Sequence, residues 1–150
     1  MAHTFTNLLT HIIFSTKDRA PFIDAELKPE LHAYLGGMFR EIKGKAYSIN
    51  GTADHVHLLV SLPPTISLSD AMKMVKANSS RWFSDKWTAR KSFGWQIGYG
   101  AFSVSKSNVP AVIKYIESQE EHHRKISFKE EFIGFLQKHG IEYDERYIWE

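Results

Sequence analysis

The feature that most restricts the fold is the order in which hydrophobic period changes along the chain. Residues 4–15 are rich in Leu, Ile, Thr and Phe, lack Gly and Pro, and read as a strand ending at the basic cluster Lys17, Asp18 and Arg19. Over residues 25–43 the apolar side chains Leu27, Leu31, Leu35, Met38 and Ile42 recur at helical spacing, with Asp24 as N-cap and Gly44 as stop. Gly36 and Gly37 inside that helix each cost on the order of 1 kcal/mol against Ala, a cost that close packing on another backbone would explain. Residues 45–49 and 54–62 read as two strands joined by a loop holding Asn50 and Gly51, and therefore as an antiparallel pair.

After Pro63 and Pro64, Ser67 and Asp70 open a helix with Leu68, Ala71, Met72, Val75, Trp82 and Phe83 on one side and basic residues on the other. Residues 93–96 and 99–105 read as further strand, with Gly100 a bulge or close-approach point. Asn108 and Pro110 mark a third helix carrying Val109, Val112, Ile113 and Ile116. Ser127 and Glu130 form a capping box for a fourth, which runs to Gly140. The succession strand, helix, strand, strand, helix, strand predicts an α+β fold of the ferredoxin-like split β-α-β type. It has an antiparallel sheet with helices on one face and appended C-terminal helices.

A chain of 150 residues suits one domain spanning 1–150. Cysteine is absent, so disulfides and thiolate metal sites are excluded, which suits the cytoplasm. The apolar run from Leu8 to Phe14 is broken by Thr10 and His11 and has no basic leader, so it reads as neither signal peptide nor membrane span. A net charge of +2 says nothing about a nucleic-acid partner, because footprints depend on local clustering.

Chemistry enters at Asp54-His55-Val56-His57-Leu58-Leu59-Val60. Side chains two apart on a strand project from the same face with Cα atoms ~7 Å apart, so His55 and His57 suit one metal ion while Val56 and Leu58 face the other way. Taken alone, the pair fits polar positions on a half-exposed strand equally well. Tyr115 and Gln119 are four apart in the third helix and flank its Val112 and Ile116 stripe, although such pairs are common without function. Together the four residues make a coherent set: imidazoles and an amide oxygen hold a divalent ion, Mg²⁺ or Mn²⁺, and leave positions for water and phosphate oxygens. A tyrosine hydroxyl, with a pKa near ~10, needs such a neighbour to become a nucleophile. The other tyrosines lack a ligand-type residue one helical turn away. His122 shares the Tyr115 flank as an accessory ligand or phosphate contact, though solvated surface histidines explain His122 and His123 as well.

The segments Ala53 to Val60, Gly98 to Ser105 and Tyr115 to His123 closely resemble the single-tyrosine insertion-sequence transposases, the histidine-hydrophobic-histidine family that includes the repetitive-palindrome-associated tyrosine transposases. The similarity covers nearly the whole chain. The resemblance implies metal ligands at His55, His57 and Gln119 and a nucleophile at Tyr115. It also implies cleavage of single-stranded DNA at hairpins, with a 5′-phosphotyrosine link and a free 3′-hydroxyl. Homodimers that join their sheets are implied too, the tyrosine helix of one subunit often completing the site of its partner.

Candidate DNA contacts are Lys73, Lys76 and Arg81 on the second helix, followed by Lys86, Arg90 and Lys91 with Trp87 among them. Basic residues interleaved with an aromatic suit phosphate contact and base stacking, and a solvated helix face explains the charge equally well. Lys17 and Arg19 form a second group, and Lys106 precedes the tyrosine helix. Three rival readings have separate signatures. A non-catalytic nucleic-acid-binding module predicts paired aromatics on an exposed strand, which are absent. A water-using metal hydrolase predicts full activity in Tyr115→Phe. A replication-initiator nickase shares the paired histidines, but the short chain and the match after Gly98 argue against it.

Overall fold

The structure, a computed structural model, describes residues 3–87 and 93–149. Four strands, β1 (Leu8–Ser15), β2 (Lys45–Gly51), β3 (His55–Leu62) and β4 (Gly100–Ser103), form one antiparallel sheet in the order β2-β3-β1-β4. Two helices, α1 (Lys28–Glu41) and α2 (Leu68–Lys86), connect them in the split arrangement expected. Three more follow: α3 (Val109–Glu117), α4 (Gln119–His122) and α5 (Phe128–Lys138).

The period-2 alternation of β1 and β3 divides the protein into two layers. Ile12, Phe14, Val56, Leu58 and Val60 point to one face and form the main core with α1 and α2. Leu9, Ile13 and Leu59 point to the other, where α3 and α5 pack through Val109, Ile116, Phe128 and Phe132. His11, His55 and His57 share this second face and are buried. No helix among the described residues is long and apolar enough to cross a membrane.

Several boundaries differ from the sequence reading, each for a local reason. Strand β1 starts at Leu8 rather than residue 4, because its partner strand ends at Leu62, paired with Leu8, and Pro63 next in line has no N–H to extend the ladder. Helix α1 starts at Lys28. Asp24 caps the turn before it, its carboxylate accepting from Leu27 N at 2.9 Å. At the other end Lys43, at φ 70°, takes the left-handed position. Gly44 serves a different need: a Cβ there would lie 2.7 Å from the Ser61 carbonyl oxygen. The close packing on another backbone expected for Gly36 and Gly37 is not found: a Cβ on Gly36 would make ordinary contact, at 3.5 Å, with the Ile49 side chain, and one on Gly37 would meet nothing within 4 Å.

The Asn50-Gly51 pair belongs to β2 itself, and the turn falls on the three residues after it. Residues 93–96 are not a strand; they cross the end of β1, tied by the Thr16–Trp95 bridge and by Gln96 N donating to Ser15 O at 2.9 Å. Gly100 is the close-approach point expected, its Cβ position 3.0 Å from the Phe132 ring.

Candidate metal and tyrosine site

The third helix is not continuous from Tyr115 to Gln119. It stops at Glu117, and Ser118, at φ −94° and ψ 14°, separates it from α4. The Ser118 hydroxyl donates to Lys114 O at 2.8 Å, a back-bond that competes with the helix ladder. Asn50 of β2 donates its side-chain amide to Ile116 O at 3.0 Å and Glu117 O at 3.2 Å, satisfying carbonyls that the broken helix leaves free. Tyr115 and Gln119 still face the sheet together, and Gln119 is buried.

His55 is held from behind. Asp54 Oδ1 lies 2.7 Å and Thr52 Oγ 3.0 Å from its Nδ1, a carboxylate-imidazole pair that fixes ring orientation. Burial opposes the charge on Asp54, but the hydrogen bond and charge of His55, joined by Thr52 and His123, together outweigh it and keep this carboxyl below its ordinary range. On the other side of the ring, His55 Nε2 lies 3.1 Å from Gln119 Oε1.

Glu131 of α5, which the sequence reading did not single out, is the hub. Its Oε1 lies 2.8 Å from His57 Nε2, 2.9 Å from His123 Nε2 and 3.6 Å from His55 Nε2. Its Oε2 accepts from the Tyr115 hydroxyl and, at 3.3 Å, from Gln119 Nε2. Burial works against the charge, yet bonds from His123 and His57 hold the carboxyl far below the usual carboxylate range. Tyr115 moves the opposite way: burial, and then the adjoining carboxylate, push its phenol above the ordinary value. Burial lowers His57 to about 4, and its ring spans the cluster, Nε2 2.8 Å from Glu131 Oε1 and Nδ1 2.8 Å from His11 Nε2. Burial likewise lowers His11 to about 3. For His123, burial is outweighed by the Glu131 bond and charge together with the Ile126 carbonyl and Asp54, and the ring sits above its ordinary value.

The donor set fits a divalent cation. Ligand atoms of His55, His57, His123 and Glu131 all lie within 4.8 Å of one another. Ligands about a small divalent ion, at ~2.1 Å each, are separated by up to ~4.2 Å, so modest contraction suffices. His122 Nε2 lies 3.2 Å from the Tyr115 hydroxyl.

The candidate DNA contacts divide by layer. Lys73, Lys76 and Arg81 ride on α2, against the sheet face opposite the imidazoles, and the structure does not bring them to Tyr115. The Lys76 ammonium is moreover directed at the carbonyls of Gln96, Ile97 and Gly98, at 2.5, 2.9 and 2.8 Å, and burial lowers it to about 8. Lys17 and Arg19 lie in the turn after β1, Arg19 over the Trp149 ring. Lys86 pairs with Glu30 at 3.0 Å and sits by the rings of Trp82 and Trp87. Lys106 is exposed just before α3. Arg90 and Lys91 fall outside the described residues.

A readable signal for Glu131 exists: it stands three after Phe128 and four before Phe135, a carboxylate inside an apolar helical stripe. His11 shares the face of Leu9 and Ile13 by the same strand alternation that placed His55 and His57.

The sequence profile of the family described as "Transposase IS200 like" matches residues 4–119. The chain belongs to this IS200-like transposase family. Within it, the transposase for insertion sequence element IS200 of Salmonella typhimurium is 30% identical over 126 residues, 81% of this chain and 82% of the relative. The ISDra2 transposase TnpA of Deinococcus radiodurans is 28% identical over 116 residues, 74% of this chain and 83% of the relative. Among solved structures, one from Deinococcus radiodurans R1 with a provisional transposase assignment superposes with a TM-score of 0.66 at 23% identity, covering 79% of this chain and 95% of that one. A REP-associated tyrosine transposase bound to a REP hairpin gives 0.62 at 12% identity, covering 82% and 72%. At these identities both structures establish the fold alone. The IS200-like profile ends at Gln119, so His122, His123 and Glu131 lie beyond the matched residues.

Proposed function

We propose that this IS200-like transposase is a metal-dependent single-stranded DNA nicking and joining enzyme in which Tyr115 is the nucleophile. One observation carries the reading: the Tyr115 ring stands 5.8 Å from the His57 ring, in a side-chain cluster that also holds His55, Gln119 and Glu131 from the same chain. His55, His57 and Gln119 would hold Mg²⁺ or Mn²⁺, which when bound polarises the scissile phosphate and offsets the charge that builds on it. Asp54 and His11 keep the two imidazoles oriented from behind.

In the forward step the Tyr115 oxygen loses its proton and bonds to phosphorus, and the bond from phosphorus to the 3′ oxygen breaks. That oxygen takes up a proton, leaving a 3′-hydroxyl and a 5′-phosphotyrosine. The ester conserves the free energy of the broken phosphodiester, so attack by another 3′-hydroxyl rejoins strands without ATP. His122, beside the phenol, is placed to carry that proton or to contact the phosphate. Lys106, just before α3, contributes a DNA contact. The DNA partner in this reading is a single strand bearing a hairpin, in keeping with the hairpin-bound relative. The chain works as one domain, in a homodimer, in the cytoplasm.

The test is incubation with a hairpin-bearing oligonucleotide and Mg²⁺ or Mn²⁺, followed by a denaturing gel. A covalent protein–DNA band that disappears in Tyr115→Phe and in His55→Ala supports the reading. Strand cleavage at full rate in Tyr115→Phe would point instead to water as the nucleophile.

A further inference from the structure

We propose that Glu131 serves the site twice, one carboxylate oxygen joining His55, His57 and His123 as the anionic member of the cation-binding set and the other holding the Tyr115 hydroxyl at its edge. The inference rests on the reading above, and goes past it because α5 lies outside the residues that match the family.

Burial is the first argument. Glu131 is 4% exposed and stands in the apolar face of α5, between Phe128, Phe132 and Phe135. A carboxylate in such a stripe is expensive unless several partners meet it. Here His57, His123, Tyr115 and Gln119 all do: His57 and His123 meet Oε1, while the phenol and the amide meet Oε2, where His122 Nε2 also lies 3.2 Å away. Charge is the second argument. Every other donor in the set is an imidazole or an amide, none of them anionic, and hard divalent ions favour oxygen, above all carboxylate oxygen. Aim is the third. The Ser127–Glu130 capping box starts α5 just before Glu131, and Phe128 and Phe132 pack with Ile13 and Phe102, so the carboxylate projects from a seated helix. One rigid group thereby spans the cation set and the nucleophile and fixes the distance between them.

The experiment measures Mn²⁺ binding to the DNA-free protein by electron paramagnetic resonance. Wild type should bind the ion and His55→Ala should not. Glu131→Gln, neutral and of the same shape, should weaken binding by at least ~10-fold, with partial recovery in Glu131→Asp. Wild-type affinity in a folded Glu131→Gln overturns the ligand role, and does so whether or not wild type forms the Tyr115 adduct, which separates this failure from failure of the parent reading. Should Glu131→Gln not fold, the ¹³C carboxyl resonance of Glu131 in wild type decides: movement on adding Mg²⁺ supports the role and no movement overturns it. For the second role, Glu131→Gln saturated with Mn²⁺ should form adduct at least ~10-fold more slowly at unchanged DNA affinity. An unchanged rate overturns the positioning.

Discussion

Asn50 sits opposite His57 in the β2–β3 ladder and reaches from that rung to cap the carbonyls of Ile116 and Glu117. The tyrosine helix therefore ends against the same point of the sheet that carries a candidate metal ligand. Truncating Asn50 to Ala removes both bonds and leaves carbonyls partly buried, at a cost of about 1–2 kcal/mol. Asn50→Asp should be worse, because it turns a donor into an acceptor facing two other acceptors. Urea unfolding ranks the pair, and adduct yield should fall in both.

Gly51 closes β2 beside His55, and a Cβ there would collide with the His55 carbonyl oxygen and crowd Val56. Gly51→Ala should therefore separate β2 from β3 at this point, costing about 1–3 kcal/mol and displacing His55. Thermal unfolding reads the first effect and Mn²⁺ titration the second. The contrasting change Gly37→Ala, where a Cβ meets nothing, should stabilise α1 by about 0.5–1 kcal/mol.

Asp54 acts on the site chiefly through its hydrogen bond to His55. Asp54→Ala should leave both imidazoles in place but free the His55 ring to turn, lowering divalent affinity by about 10–100-fold. Calorimetric titration with Mn²⁺ checks this.

Acid should weaken the fold through buried imidazoles. Burial, reinforced by Lys28, lowers His32 from 6.5 to about 4, and its Nε2 has no hydrogen-bond partner among the described residues. Below pH 6.5 the unfolded chain takes up a proton that the folded protein refuses, so stability is full above that value and declines as pH falls toward 4. Each unit of displacement is worth up to ~1.4 kcal/mol. His32→Leu should remove part of this slope in urea unfolding between pH 7 and pH 4, while His11 and His57, shifted the same way, retain the rest.

What the sequence revealed follows from which signals are local. The strand and helix order was readable because each change of hydrophobic period lies within one segment, and His55 and His57 were readable because strand alternation alone puts them on one face. The break at Ser118 was not, since it depends on Asn50, far away in the chain, as well as on a local back-bond. Glu131 escaped because its partners come from β3, α3 and the segment after α4, and only its position inside an apolar stripe hinted at them. The basic residues of α2 showed as a cluster in the sequence, but which side of the sheet they occupy is a matter of topology.

The central claim is that residue Tyr115 carries the covalent link to DNA. Trapping the adduct with a hairpin-bearing single strand and Mn²⁺, trimming the DNA with nuclease and mapping the modified peptide by mass spectrometry tests it directly. The expected result is a nucleotide remnant on the peptide containing Tyr115 and nowhere else. A remnant on another tyrosine, such as Tyr99 or Tyr143, or cleaved DNA with no protein-bound remnant, would contradict it.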